Sequence, residues 1–94
     1  MNVKYIKTIN NGVAEQKLYY SEKPIQIQSN SFMEFTNYIL VSKVNNAYAH
    51  ETMIFPSNSL GAVTDYLDLG RLTGEHSHEE TLIANGFVIE TDSQ

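Results

Sequence analysis

Apolar and polar side chains alternate along much of this chain with a period of two, the spacing that sends successive side chains to opposite faces of a strand. Val3 to Ile9 carries the pattern and predicts a first strand. Asn10-Asn11-Gly12 follows, and an Asn-Gly pair tolerates the positive φ angles of a type I′ turn. Val13 to Tyr20 is then the returning strand of a hairpin. Ser21-Glu22-Lys23-Pro24 reads as a turn, because proline lacks a ladder donor and suits a strand start or edge. Ile25 to Gln28 alternates again as a short strand. Ser29-Asn30-Ser31 is a polar break that either caps a short helical turn through Phe35 or runs directly into the next strand.

Thr36 to Val44 is rich in β-branched and aromatic residues, and Tyr48 to Phe55 has the same character. A tight turn at Asn45-Asn46 predicts that these two strands pair, with Leu40 opposite Glu51 and Ile39 opposite Thr52. Pro56 to Gly61 reads as a loop and Ala62 to Leu67 as strand-like. Asp68 to Gly74, with two glycines and the only arginine, reads as irregular and exposed. Ser77-His78-Glu79-Glu80 is a capping box, with acids placed to suit a helix dipole. Leu82 and Ile83 give that helix an apolar face, and Gly86 stops it. Phe87 to Glu90 is a last short strand, and Thr91 to Gln94 a frayed tail.

The expected fold class is α+β: one domain over 1–94, with a mainly antiparallel sheet of five to seven strands built from hairpins. One or two short helices accompany it, including a C-terminal one. Strands and helices do not alternate as in parallel nucleotide-binding folds.

Composition narrows the function. A chain of 94 residues buries only about 60–65% of the surface it exposes when unfolded, so an oligomer interface would add stability. Cysteine is absent, which excludes disulfides and thiolate metal sites and points to the cytoplasm. No stretch has the length and apolarity of a signal peptide or a membrane span. Six basic against eleven acidic residues give a net charge of −5, which argues against a nucleic-acid partner.

Several groups invite a chemical reading. His76 and His78, among Glu75, Glu79 and Glu80, are metal-ligand types. One precedes the helix cap and the other follows it, so a solvated acidic helix start is the better expectation, with no metal. His50 is a possible general base, yet His50 and Glu51 are neighbours on a strand and face opposite sides. No nucleophile elbow and no phosphate-binding glycine loop occur. Asp65 and Asp68 are too few for a calcium loop. Arg71, between Gly70 and Gly74, can present a guanidinium to phosphate, with Thr73 as a further donor. The plainer reading is a surface arginine paired with Asp68 or Glu75. Of Tyr19 and Tyr20, adjacent on one strand, one ring must face outward.

Three stretches, taken in order, carry a resemblance. They are His50-Glu51-Thr52-Met53-Ile54-Phe55-Pro56, Gly61-Ala62-Val63-Thr64-Asp65-Tyr66, and the run from His78 to Phe87. Over roughly residues 38–90 the chain is similar to the phage Thoeris anti-defence sponge family, although Tyr66 stands where that family usually carries tryptophan. The resemblance implies a homo-oligomer in the host cytoplasm that sequesters a cyclic ADP-ribose-type signal without cleaving it and needs no cofactor. Arg71, Thr73, His50 and Tyr48 or Tyr66 are the residues here that could contact such a nucleotide. The acidic second half and exposed aromatics motivate an alternative, a protein-blocking inhibitor of a host defence effector of the anti-CRISPR type. A small enzyme using His50, His76 or His78 is a third reading.

Overall fold

A computed structural model describes residues 1–10, 12, 14–29, 32–45, 50–64 and 69–90. Six strands and one helix follow in chain order: β1 (Asn2–Asn10), β2 (Ala14–Ser29), β3 (Phe32–Asn45), β4 (His50–Ser57), β5 (Gly70–Thr73), α1 (His78–Ala84) and β6 (Val88–Glu90). They form a single sheet in the order β5-β4-β3-β2-β1-β6.

Strands β1 to β5 are an antiparallel meander in which each pairs with its sequence neighbour. The expectation of a mainly antiparallel, hairpin-built sheet holds for these five strands, but β6 pairs with β1 in parallel, Val3 opposite Ile89. A hairpin reverses the chain, whereas a helical crossover can return it in the original direction. Here α1 lies between β5, at one edge of the sheet, and β6 at the other, so the sheet is mixed. It is the one helix among the described residues.

Three further local expectations change. Ser21 to Pro24 is not a turn between strands but lies within β2. Pairing stops at Tyr20 with Tyr38 and resumes at Ile25 with Thr36, so four residues of β2 face Asn37 alone. Such an excess is a bulge, and it accommodates an exposed Pro24 without costing a ladder bond. The Asn37 amide holds it by donating to the Ser21 carbonyl at 2.9 Å.

In the second hairpin Leu40 lies opposite Phe55 and Ile39 opposite Pro56, four positions along from the expected partners. Residues 46–49 separate the two strands, a longer connection than a turn centred on Asn45-Asn46. An even shift preserves the faces, so the inward set is unchanged. Finally, Gly70 to Thr73 is a strand rather than a loop, because β4 offers it a ladder from Glu51 to Ile54.

The first hairpin forms, but Asn10 lies opposite Glu15, so its connection is longer than the two-residue type I′ turn expected at Asn11-Gly12, although Gly12 does take a positive φ of 83°. Other expectations hold. β3 begins at Phe32, so the chain runs directly into a strand there rather than forming a helical turn. The stretch from Ala62 contributes one isolated bridge, Val63 with Ser57; the rest of that stretch, Asp65 and Asp68 lie outside the described residues, as does the tail from Thr91. At α1 both bonds of the capping box form, Ser77 with the Glu80 amide and Glu80 with the Ser77 amide. Gly86 follows the helix at φ 89°.

The main core cluster joins Val3, Tyr19, Ile25, Ile39, Val41 and Ile54 of the sheet to Leu82 of α1, with Leu69, Phe87 and Ile89 at its margin. Leu18 and Leu40, one position out of phase with Tyr19 and Ile39, are buried on the other face of the sheet. No helix among the described residues is long and apolar enough to cross a membrane.

Candidate functional site

The start of α1 and the adjoining strands β1, β2 and β6 enclose a groove of about 460 Å³. Strand periodicity builds its floor. Lys17 and Tyr19 stand two apart on β2 and share the helix-facing side, and the hairpin register sets Tyr5 opposite Tyr19. The Tyr5 and Tyr19 rings meet edge to face with centroids 5.9 Å apart. Tyr19 is buried, whereas Tyr5 is 47% exposed and offers its ring to solvent. The Tyr5 hydroxyl is tied to Thr8 Oγ1 at 2.6 Å, which fixes the ring.

Lys17 reaches across this floor. Its ammonium lies 5.8 Å from the Tyr5 ring centroid, a cation–π distance. The same ammonium donates to Glu79 Oε1 at 3.0 Å. Lys4, Ile89 and Glu90 complete the lining. Two ammonium and two carboxylate groups thus surround a pair of phenol rings, and the groove is near neutral.

The titration behaviour follows from this geometry. Burial, reinforced by Glu79 and Tyr5, pushes the Tyr19 phenol well above its ordinary value, so it stays a neutral hydroxyl. Burial alone would raise Glu79. The Lys17 hydrogen bond, the residue's own amide and the charges of Lys17 and His78 outweigh it and hold the carboxyl below the usual range. Glu80 is lowered chiefly by its bond to His76, then by the backbone and side chain of Ser77.

The residues singled out in the sequence occupy other places. Arg71 and Thr73 lie on one face of β5, opposite Met53 and Glu51. Arg71 bonds Glu51 Oε1 at 3.0 Å, a partner the sequence did not suggest, while Asp68 lies outside the described residues. His50 points to the other face by strand alternation, so the structure does not bring it together with Arg71 and Thr73. Tyr48 and Tyr66 lie outside the described residues.

The two histidines flanking the helix cap are separated as the capping geometry required, but only His76 sits at the surface. Its Nδ1 meets Glu80 Oε2 at 3.2 Å. His78 is buried rather than solvated, and its Nε2–H donates to the Glu15 carbonyl at 2.9 Å. It serves as a rivet between α1 and β2. Among the described residues no group of three or more histidine and acidic side chains is placed to hold a metal ion.

The groove escaped the sequence reading. Lys17 and Tyr19 were visible as a same-face pair, but the register that sets Asn10 opposite Glu15 points Tyr5 at Tyr20, and only the irregularity between Tyr5 and Lys7 brings Tyr5 opposite Tyr19. Glu79 carried no such signal, being 62 residues from Lys17 and joined to it only by the crossover. No family model, curated protein or solved structure matches this chain.

Proposed function

We propose that this protein is a non-enzymatic binding protein that sequesters a cyclic ADP-ribose-type nucleotide signal in phage counter-defence, as a homo-oligomer in the host cytoplasm. The observation that carries the reading is the Lys17 ammonium set between an exposed tyrosine face and an open groove of ligand size. An adenine base would lie against the Tyr5 ring, an interaction of about 1–3 kcal/mol for a base on an aromatic side chain. The phosphates would meet Lys17, with Lys4 nearby. The non-catalytic part of the reading is supported by the histidines at the helix start: His76 is engaged by Glu80 and His78 by Glu15.

Thermal-shift measurements against cyclic ADP-ribose isomers and cyclic dinucleotides test this, with bound material released by heat and weighed. Saturation at about 100 times the dissociation constant stabilises by roughly 2.7 kcal/mol. Release of unchanged ligand is the expected result. A changed mass would make the protein an enzyme, and no shift with any of these compounds would favour a host protein as the partner.

The site within this reading is tested by two substitutions. Lys17→Met is expected to weaken binding roughly 3-fold to 10-fold, less than the full worth of a charge-assisted hydrogen bond because the ammonium is already bonded to Glu79. Arg71→Ala is expected to leave affinity within about twofold, because its guanidinium is engaged at the far edge of the sheet and such exposed pairs contribute little. The reverse pattern in titration calorimetry would move the site to β5.

A further inference from the structure

Lys17 does not wait unoccupied for a ligand. Glu79 Oε1 sits 3.0 Å from its ammonium, and both side chains are partly exposed, at 25% and 46%. The pair lies inside the groove rather than behind it, since Lys17 and Glu79 both line it. An anionic ligand approaching Lys17 therefore meets a carboxylate of its own sign already bound there. Two costs follow, the loss of the internal pair and repulsion between like charges.

We infer that Glu79 is an internal stand-in for the ligand's anionic group, and that binding proceeds by exchange of that carboxylate for a ligand phosphate on Lys17. This deepens the nucleotide-binding reading and rests on it for the identity of the physiological ligand. The exchange makes Glu79 a specificity determinant. A neutral aromatic compound that only stacks on Tyr5 leaves the Lys17–Glu79 pair closed and has no electrostatic gain to collect. A phosphate-bearing one must open the pair, so the net gain is the difference between two similar interactions. Affinity for weak or singly charged anions is held down, and ligands with several phosphate oxygens, able to engage more than one ammonium, are favoured.

The exchange has a sign that an ordinary contact residue lacks: removing the charge of Glu79 should strengthen binding. Adenosine and adenosine monophosphate serve as probes, titrated calorimetrically into the wild-type protein, Glu79→Gln and the double variant Glu79→Gln/Lys17→Met. Thermal melts establish that each variant is folded. Glutamine keeps the volume and a hydrogen-bond acceptor for the helix start. Adenosine monophosphate should bind Glu79→Gln roughly threefold to tenfold more tightly than wild type, the scale of releasing one partly exposed ion pair and removing a like charge. Adenosine should bind both alike, and the double variant should lose the gain.

Unchanged or weaker binding of the monophosphate to Glu79→Gln overturns the exchange, as does a gain that survives loss of Lys17 or a failure of both folded proteins to bind the monophosphate. The two readings fail separately. A Lys17-dependent gain, with no cyclic nucleotide bound by wild type, keeps the exchange and removes the signalling ligand. Capture of a cyclic nucleotide by wild type without a gain in Glu79→Gln does the opposite.

Discussion

Leu82→Ala should lower the stability of the protein by about 3 kcal/mol, within the usual cost of truncating a buried leucine. For a domain of this size that corresponds to a fall of roughly 15 °C in melting temperature. The size of the effect comes from how α1 is held. Seven residues make a helix too short to persist by itself, so it depends on its contact with the sheet. Leu82 is the helix residue in the main core cluster, fully buried among Tyr19, Ile39, Val41 and Ile54. Ile83, next in the chain, is exposed and cannot substitute. The cavity left by truncation would open beneath the element that carries Glu79, so ligand affinity should fall with stability. A melting temperature lowered by less than about 4 °C would show that the capping box and His78 hold the helix without Leu82.

Gly70→Ala is the second large effect, with an expected loss of about 2 kcal/mol, in the range of overpacking a tight contact. A Cβ at this position would fall on the carboxamide of Asn85, the C-cap of α1. Asn85 uses that carboxamide twice, donating to the Thr81 carbonyl at 2.8 Å and to the Arg71 carbonyl at 3.4 Å. The glycine therefore lets β5 approach the helix end, and the amide closes the contact by capping an exposed edge strand. The discriminating measurement is a double-mutant cycle by denaturant unfolding. Asn85→Ala removes the obstructing atoms, so Gly70→Ala should cost much less in that background. Simple additivity would mean that the alanine is costly for some other reason than this clash.

These two sites show which parts of the molecule a one-dimensional reading can reach. The strand from Val3 to Ile9 and the box from Ser77 to Glu80 are local devices, complete within a few residues, and both form, although an irregularity between Tyr5 and Lys7 interrupts the strand's alternation. The pairing of Leu40 with Phe55 depends on the length of the intervening connection, which residue types constrain weakly. The bulge at Ser21 to Pro24 keeps polar residues and a proline within a continuous strand, where composition alone reads a turn. Gly70 to Thr73 becomes a strand because β4 lies beside it, and nothing within those four residues announces a partner. The candidate site is the extreme case. Its ion pair joins the second strand to the helix, so it exists only after the crossover has been made.

The parallel pairing of β6 on β1 has a consequence for the order of events in time. The meander from β1 to β5 can zip up by successive closures of short connections, each of modest entropic cost. The last ladder joins residues from the two ends of the chain: the Val88 amide donates to the Met1 carbonyl at 2.8 Å, and the Met1 ammonium to the Gly86 carbonyl at 3.3 Å. It has three paired positions against the eight of β3 with β4. Native-state hydrogen exchange should accordingly find the β6 amides opening at a lower free energy than those of β3, in a partial unfolding that leaves the meander intact. Equal protection of the two would indicate that the sheet opens only as a whole. Because Ile89 and Glu90 form one wall of the groove, each such excursion also removes that wall, so the lifetime of a bound ligand would be tied to the breathing of the weakest seam in the sheet.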